Sequence, residues 1–161
     1  MTRHLKSPTL KSLTVGAALI LMAGTALAEG PFDAPITARQ SQMRLLAFNI
    51  GQLGGMAKGV IPYDADKAAA AAANLQAVAN LNGGAFWPKG SDSFSFDNTN
   101  ALPKIWDNMS DVGKKFQDLQ TATTAMDAAA GGGLDAVKVA LGPLGEACKA
   151  CHKEYRKPKD K

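Results

Sequence analysis

The chain has 161 residues, 46% hydrophobic and 20% charged, with a formal net charge of +4. Its two cysteines and two histidines are too few for a four-ligand structural zinc site once the N-terminal segment holding His4 is removed. That removal takes three of the 18 basic residues and none of the 14 acidic ones, leaving a net charge of +1, so charge does not indicate a nucleic-acid binder.

The segment in question is residues 1–28. Arg3, Lys6 and Lys11 precede an uncharged apolar run from Leu13 to Leu27, and Ala26-Leu27-Ala28 offers a small-x-small cleavage site before Glu29. This is the pattern of a cleaved secretory signal, and the run is short against the ~20 residues of a membrane span. No cysteine near the site suggests a lipid anchor, and no stable membrane insertion is expected after cleavage. Export to an oxidising space, the bacterial periplasm, is the expected destination. Residues 29–161 then suit one domain with one core.

After Pro31 and Pro35, the spacing of Met43, Leu46, Ile50, Leu53 and Ala57 predicts a helix from about Thr37 to Lys58. Gly51, Gly54 and Gly55 each cost it about 1 kcal/mol and are read as close helix–helix approach. Pro62-Tyr63 makes a turn, and Asp64 or Asp66 caps a second helix whose alanine run leads to Leu75, Val78 and Leu81. Residues 82–102 keep neither period. They form a long connection carrying Phe86, Trp87, Phe94 and Phe96, which either cover a ligand edge or close one end of the domain.

Pro103 marks the first turn of a third helix, in which Ile105, Met109, Val112, Phe116, Leu119, Thr123 and Met126 alternate fours and threes before Gly131-Gly132-Gly133. The fourth helix repeats the device with Leu134, Val137, Leu141, Leu144, Cys148, Cys151 and Tyr155. Pro143 cannot donate to the carbonyl of Val139, which predicts a kink or two stacked helices. The fold class is therefore all-α, an antiparallel four-helix bundle with its ligand site between facing helices.

Cys148-Lys149-Ala150-Cys151-His152 identifies that ligand. C-x-x-C-H is the signature of covalent haem c attachment. On a helix, residues three and four apart project from one face, so two thiols and one imidazole converge. Cys148 and Cys151 form thioethers to one haem c, which lies inside the bundle near the C-terminal helix, and His152 bonds the iron as proximal ligand. A thioredoxin-like dithiol would sit near a βαβ pattern, and a plain disulfide would leave His152 without a role. Beyond the motif, Lys149, Lys153, Arg156, Lys157, Lys159 and Lys161 crowd the C-terminal end against Glu154 and Asp160. That end is either a docking rim or a solvated helix terminus that complements the helix dipole.

The mature sequence resembles the class II c-type cytochromes, the group that includes cytochrome c-prime. The resemblance rests on Arg39-Gln40-Ser41-Gln42-Met43, Lys58-Gly59 with Pro62-Tyr63-Asp64, Pro103-Lys104-Ile105-Trp106, and the C-terminal C-K-A-C-H-K-E-Y-R. It implies that the first helix covers the distal haem face with Met43 pointing at the iron, that Arg39 lies near a haem propionate with Gln40 at the haem edge, and that Arg156 stands near the proximal ligand. Gly83-Gly84 occupies the place where several gas-binding members carry an aromatic residue. Two functions follow. One is electron transfer between redox partner proteins with His152 and Met43 both bound. The other is binding of NO or CO at a five-coordinate iron with Met43 as a pocket wall. No base, nucleophile or second metal site accompanies the haem, so the protein is not expected to be an enzyme. The resemblance also implies a homodimer paired through the first two helices.

Overall fold

The computed structural model describes residues 30–158; the proposed signal peptide and Lys159–Lys161 lie outside them. Among the described residues five α-helices follow one another: α1 (Asp33–Ala57), α2 (Ala65–Ala79), the single turn α3 (Lys104–Asp107), α4 (Met109–Ala130) and α5 (Leu134–Tyr155). The four long ones form a ring in which α1 packs on α2, α2 on α4, α4 on α5, and α5 closes onto α1. Short links at 58–64 and 131–133 turn the chain back on itself, so the bundle is antiparallel as expected.

α1 starts at Asp33, four residues before the expected Thr37, because Pro35 sits in the first turn, where backbone N–H groups have no helical partner to lose. The Asp33 carboxylate closes this end by accepting from Gly30 N at 2.7 Å. α2 is capped by Asp64, whose Oδ1 accepts from Lys67 N at 3.0 Å. Its small inward side chains, Ala68, Ala71, Ala72 and Ala79, surround Leu75 in the core. That core joins Leu53 and Met56 of α1 to Met126 of α4 and Leu144 of α5.

Three expectations are corrected. The third helix is broken at Asn108 (φ −133°, ψ 42°) into α3 and α4, and Met109, placed on the core stripe by its spacing, is 49% exposed beside the break. Of the helix-1 glycines, only Gly55 is in a close approach, and that is to a following loop: a Cβ there would lie 2.7 Å from Ile61 Cδ1, whereas one on Gly51 or Gly54 would meet nothing within 4 Å. Finally, of the two alternatives at Pro143, a kink or two stacked helices, the second is ruled out: α5 is one helix with Pro143 inside it. Val139, Gly142 and Pro143 all face solvent, so water can satisfy the carbonyl that Pro143 leaves unpaired.

The long connection is ordered by side-chain bonds. Asp92 Oδ1 accepts from Phe94 N at 2.9 Å and Ser95 N at 3.2 Å. Phe96 meets Phe32 edge-on at 5.5 Å, while Phe94 is 82% exposed. The far end of the connection pairs with the end of the chain: Ala101 and Arg156 form an antiparallel bridge, Leu102 N donates to Tyr155 O at 3.0 Å, and Lys157 N to Asn100 O at 2.8 Å.

Candidate functional site

Two apolar clusters meet along the end of α5. The larger is the bundle core, against which Cys148 and Met43 both rest. The smaller holds Ala101, Ile105, Val112 and Tyr155, with Cys151, Trp87 and Trp106 packed on it, and Phe116 of α4 touches both clusters. The helical register therefore places one thiol on each cluster, and α1 delivers Met43 to the same core as the first thiol.

Cys148 and Cys151 are free and half-buried. Desolvation pushes both thiols up, which disfavours the thiolate needed for metal or exchange chemistry. His152 is open to solvent as a residue, yet its ring is desolvated enough to lower its basicity, and the charge of Arg156 lowers it further. The neutral imidazole that results is the form able to bind a metal.

Arg39 is 3% exposed and reaches into the long connection rather than out to water. Its Nη1 donates to Ser91 Oγ at 2.7 Å and Phe86 O at 3.3 Å, and its Nη2 to Thr99 Oγ1 at 2.7 Å and to Ser91 O. The guanidinium also lies 5.0 Å from the Trp87 ring. Burial holds its pKa below the usual arginine value, and Asp92 partly offsets this. Gln40 Nε2 donates to Asn98 O, so the two neighbours clasp residues 86–99 onto α1. Reasoning from sequence did not identify this clasp. The Ser and Thr of an aperiodic polar tract following Trp87 were the signal that could have suggested it.

Gly83 and Gly84 open a 3₁₀ turn that brings the aromatic residues in close. A Cβ on Gly83 would stand 3.6 Å from Phe86 Cδ2 and 3.8 Å from Trp87 Nε1. Trp87 packs edge-on against Phe116 at 6.2 Å, its carbonyl accepts from Trp106 Nε1 at 3.0 Å, and its own buried Nε1 has no partner among the described residues. Two apolar clusters, two protonated thiols, a neutral imidazole and an orphaned indole donor match a flat apolar macrocycle that carries carboxylates. The residues fit a covalently held haem c. An open cavity of about 460 Å³ beside His152 is lined by Lys149, Lys153, Arg156, Lys157 and Pro158. A larger one, about 730 Å³ between Asp107 and Gln117, touches none of these groups.

Residues 34–156 match the family model described as Cytochrome C'. The chain is 41% identical over 121 residues to a cytochrome c-554 of Cereibacter sphaeroides, covering 75% of this chain and 91% of that one. It is similar to the crystal structure of cytochrome c' from Thermochromatium tepidum, with a TM-score of 0.70 and 38% identity over 78% of this chain and 95% of that one. A ferrous variant of cytochrome c prime from Alcaligenes xylosoxidans with bound NO gives a TM-score of 0.68 at 33% identity, covering 78% and 94%.

Proposed function

The chain belongs to the cytochrome c′ family and carries covalently attached haem c, and from that premise we propose that it is a periplasmic carrier of single electrons whose iron is bound by His152 and Met43. In this reading residues 1–28 are the export signal, residues 29–161 form the haem domain, Cys148 and Cys151 provide the thioethers, and Arg39 and Gln40 stand at the haem edge. The observation that carries it is the meeting of α1 and α5 on one core: Met43 and Cys148 rest against the same cluster.

When bound, haem supplies a one-electron ferric–ferrous couple. The chain's residues set its working point. His152, held neutral, offers an uncharged nitrogen. Met43 offers a soft, uncharged sulfur, which favours the lower oxidation state. The apolar clusters around both cysteines exclude water and act in the same direction.

The test is Met43→Ala in the holoprotein. Wild type should be low-spin, with the weak far-red band of methionine–iron ligation when ferric and slow uptake of CO. The variant should be high-spin and bind CO rapidly while its haem stays covalently attached. A second reading is five-coordinate binding of NO or CO, favoured by the NO complex solved for the Alcaligenes xylosoxidans variant. A wild type that is already high-spin and takes up CO rapidly establishes that reading and ends the first.

A further inference from the structure

The wall that α1 and the long connection build together holds two groups that lack an anion. Trp87 Nε1 is buried and has no partner among the described residues, and a buried donor left unpaired is costly. Arg39, 3% exposed, meets no carboxylate within 4.0 Å among the described residues. Asp92 offsets its charge only from beyond that distance, and Asp92 Oδ1 accepts instead from Phe94 N and Ser95 N. The two groups are neighbours, with the guanidinium carbon 5.0 Å from the centroid of the Trp87 ring.

Arg39 itself has little left to donate. A guanidinium carries five N–H groups, and the four terminal ones already face four oxygens: Ser91 Oγ and Phe86 O on Nη1, Thr99 Oγ1 and Ser91 O on Nη2. The indole N–H is thus the free donor beside a buried positive charge. Its ring is fixed in place, edge-on to Phe116 at 6.2 Å and anchored behind by Trp106 Nε1, which donates to Trp87 O at 3.0 Å. A Cβ on Gly83 would already stand 3.8 Å from Nε1, so the glycine keeps that side of the indole clear.

Haem carries its two carboxylates on the edge away from the vinyl groups that Cys148 and Cys151 take. We propose that the Trp87 indole N–H binds one of these carboxylates, with Arg39 supplying the positive charge beside it while its own N–H groups stay on the connection. The proposal rests on the covalent haem and is the same whether or not Met43 binds the iron. A hydrogen bond to the ionised carboxylate favours that form and lowers its pKa. The ionised carboxylate in turn favours ferric over ferrous iron, so the midpoint potential falls as pH rises through that pKa.

Trp87→Phe keeps an aromatic ring and removes the donor. In the holoprotein it should move the pH at which the potential inflects upward by about one unit. The haem should stay covalently attached and the absorption spectrum should keep its spin state. A second measurement uses wild type alone: heteronuclear NMR of the ferrous protein under CO, which is diamagnetic with either set of axial ligands. The indole N–H adjoining Phe116 should move upfield as pH falls through the inflection. The Trp106 N–H, bonded to a carbonyl that does not titrate, should hold still.

An inflection left in place by Trp87→Phe overturns the proposal, and so does a Trp87 N–H resonance that stays flat over the pH range in which the fold persists. The wild-type spectrum decides the matter if the variant yields no folded holoprotein. A wild type found to be high-spin ends the Met43 reading and leaves this one standing.

Discussion

Tyr155 joins the C-terminal end of α5 to α4. It is 5% exposed, and its hydroxyl donates to Asp111 Oδ2 at 2.7 Å. That bond, followed by burial and the Asp111 charge, pushes the phenol from its ordinary 10.0 up to about 12. The folded state thus holds the phenolic proton more tightly than the unfolded chain does. The stability this contributes is complete below pH 10 and is lost as pH rises through about 12. Tyr155→Phe should lower the thermal midpoint of the holoprotein at neutral pH and flatten its decline between pH 10 and 12. Melting curves across that range check it, and an undiminished alkaline decline would assign the effect to another group. At this scale the sequence revealed what lies close together in the chain. The motif residues Cys148, Cys151 and His152 and the stripe position of Tyr155 were legible because helical spacing fixes them. The partner of Tyr155 lies 44 residues away, and the bonds of Arg39 to the connection span 47 to 60 residues, so no local pattern encodes them.

Helices were legible as stripes, and their ends were not. The break at Asn108 shows why: Ile105 and Val112 are both buried, so the stripe continues across a residue whose backbone has left the helix. Pro35 misled in the other direction, and Pro143 did not split its helix in two, since a proline at a first turn or on a wet face costs less than one in a dry interior. Gly113 gives a test at this scale. It lies inside α4, is exposed, and a Cβ there would meet nothing within 4 Å. Gly113→Ala should therefore stabilise the fold by about 1 kcal/mol through helix propensity alone. Denaturant unfolding should show a raised midpoint with an unchanged slope; a lowered midpoint would mean the glycine has a contact or conformation that the alanine cannot share.

Among the described residues, α1 and α2 of the bundle leave apolar side chains without cover. Leu45 and Phe48 of α1 are 50% and 63% exposed, three residues apart, and α2 exposes Ala69, Ala70, Ala73 and Ala77. This supports the homodimer that the family resemblance implies, because small side chains permit close backbone approach and one aromatic supplies most of the buried area. Sedimentation at micromolar concentration should give a dimer for wild type and a monomer for Phe48→Asp, with the absorption spectrum unchanged; a monomeric wild type ends the idea. Within each subunit, the bridge between Ala101 and Arg156 has a further consequence. Chain ends usually fray, and their amides exchange with solvent within the dead time of a deuterium labelling experiment. Here the N–H groups of Leu102 and Lys157 are bonded across a separation of more than fifty residues, so neither can open until the long connection lifts from α5. The two amides should take up deuterium at a common rate, as one cooperative unit, and that rate reports how often the segment bearing the C-x-x-C-H motif comes loose from the bundle.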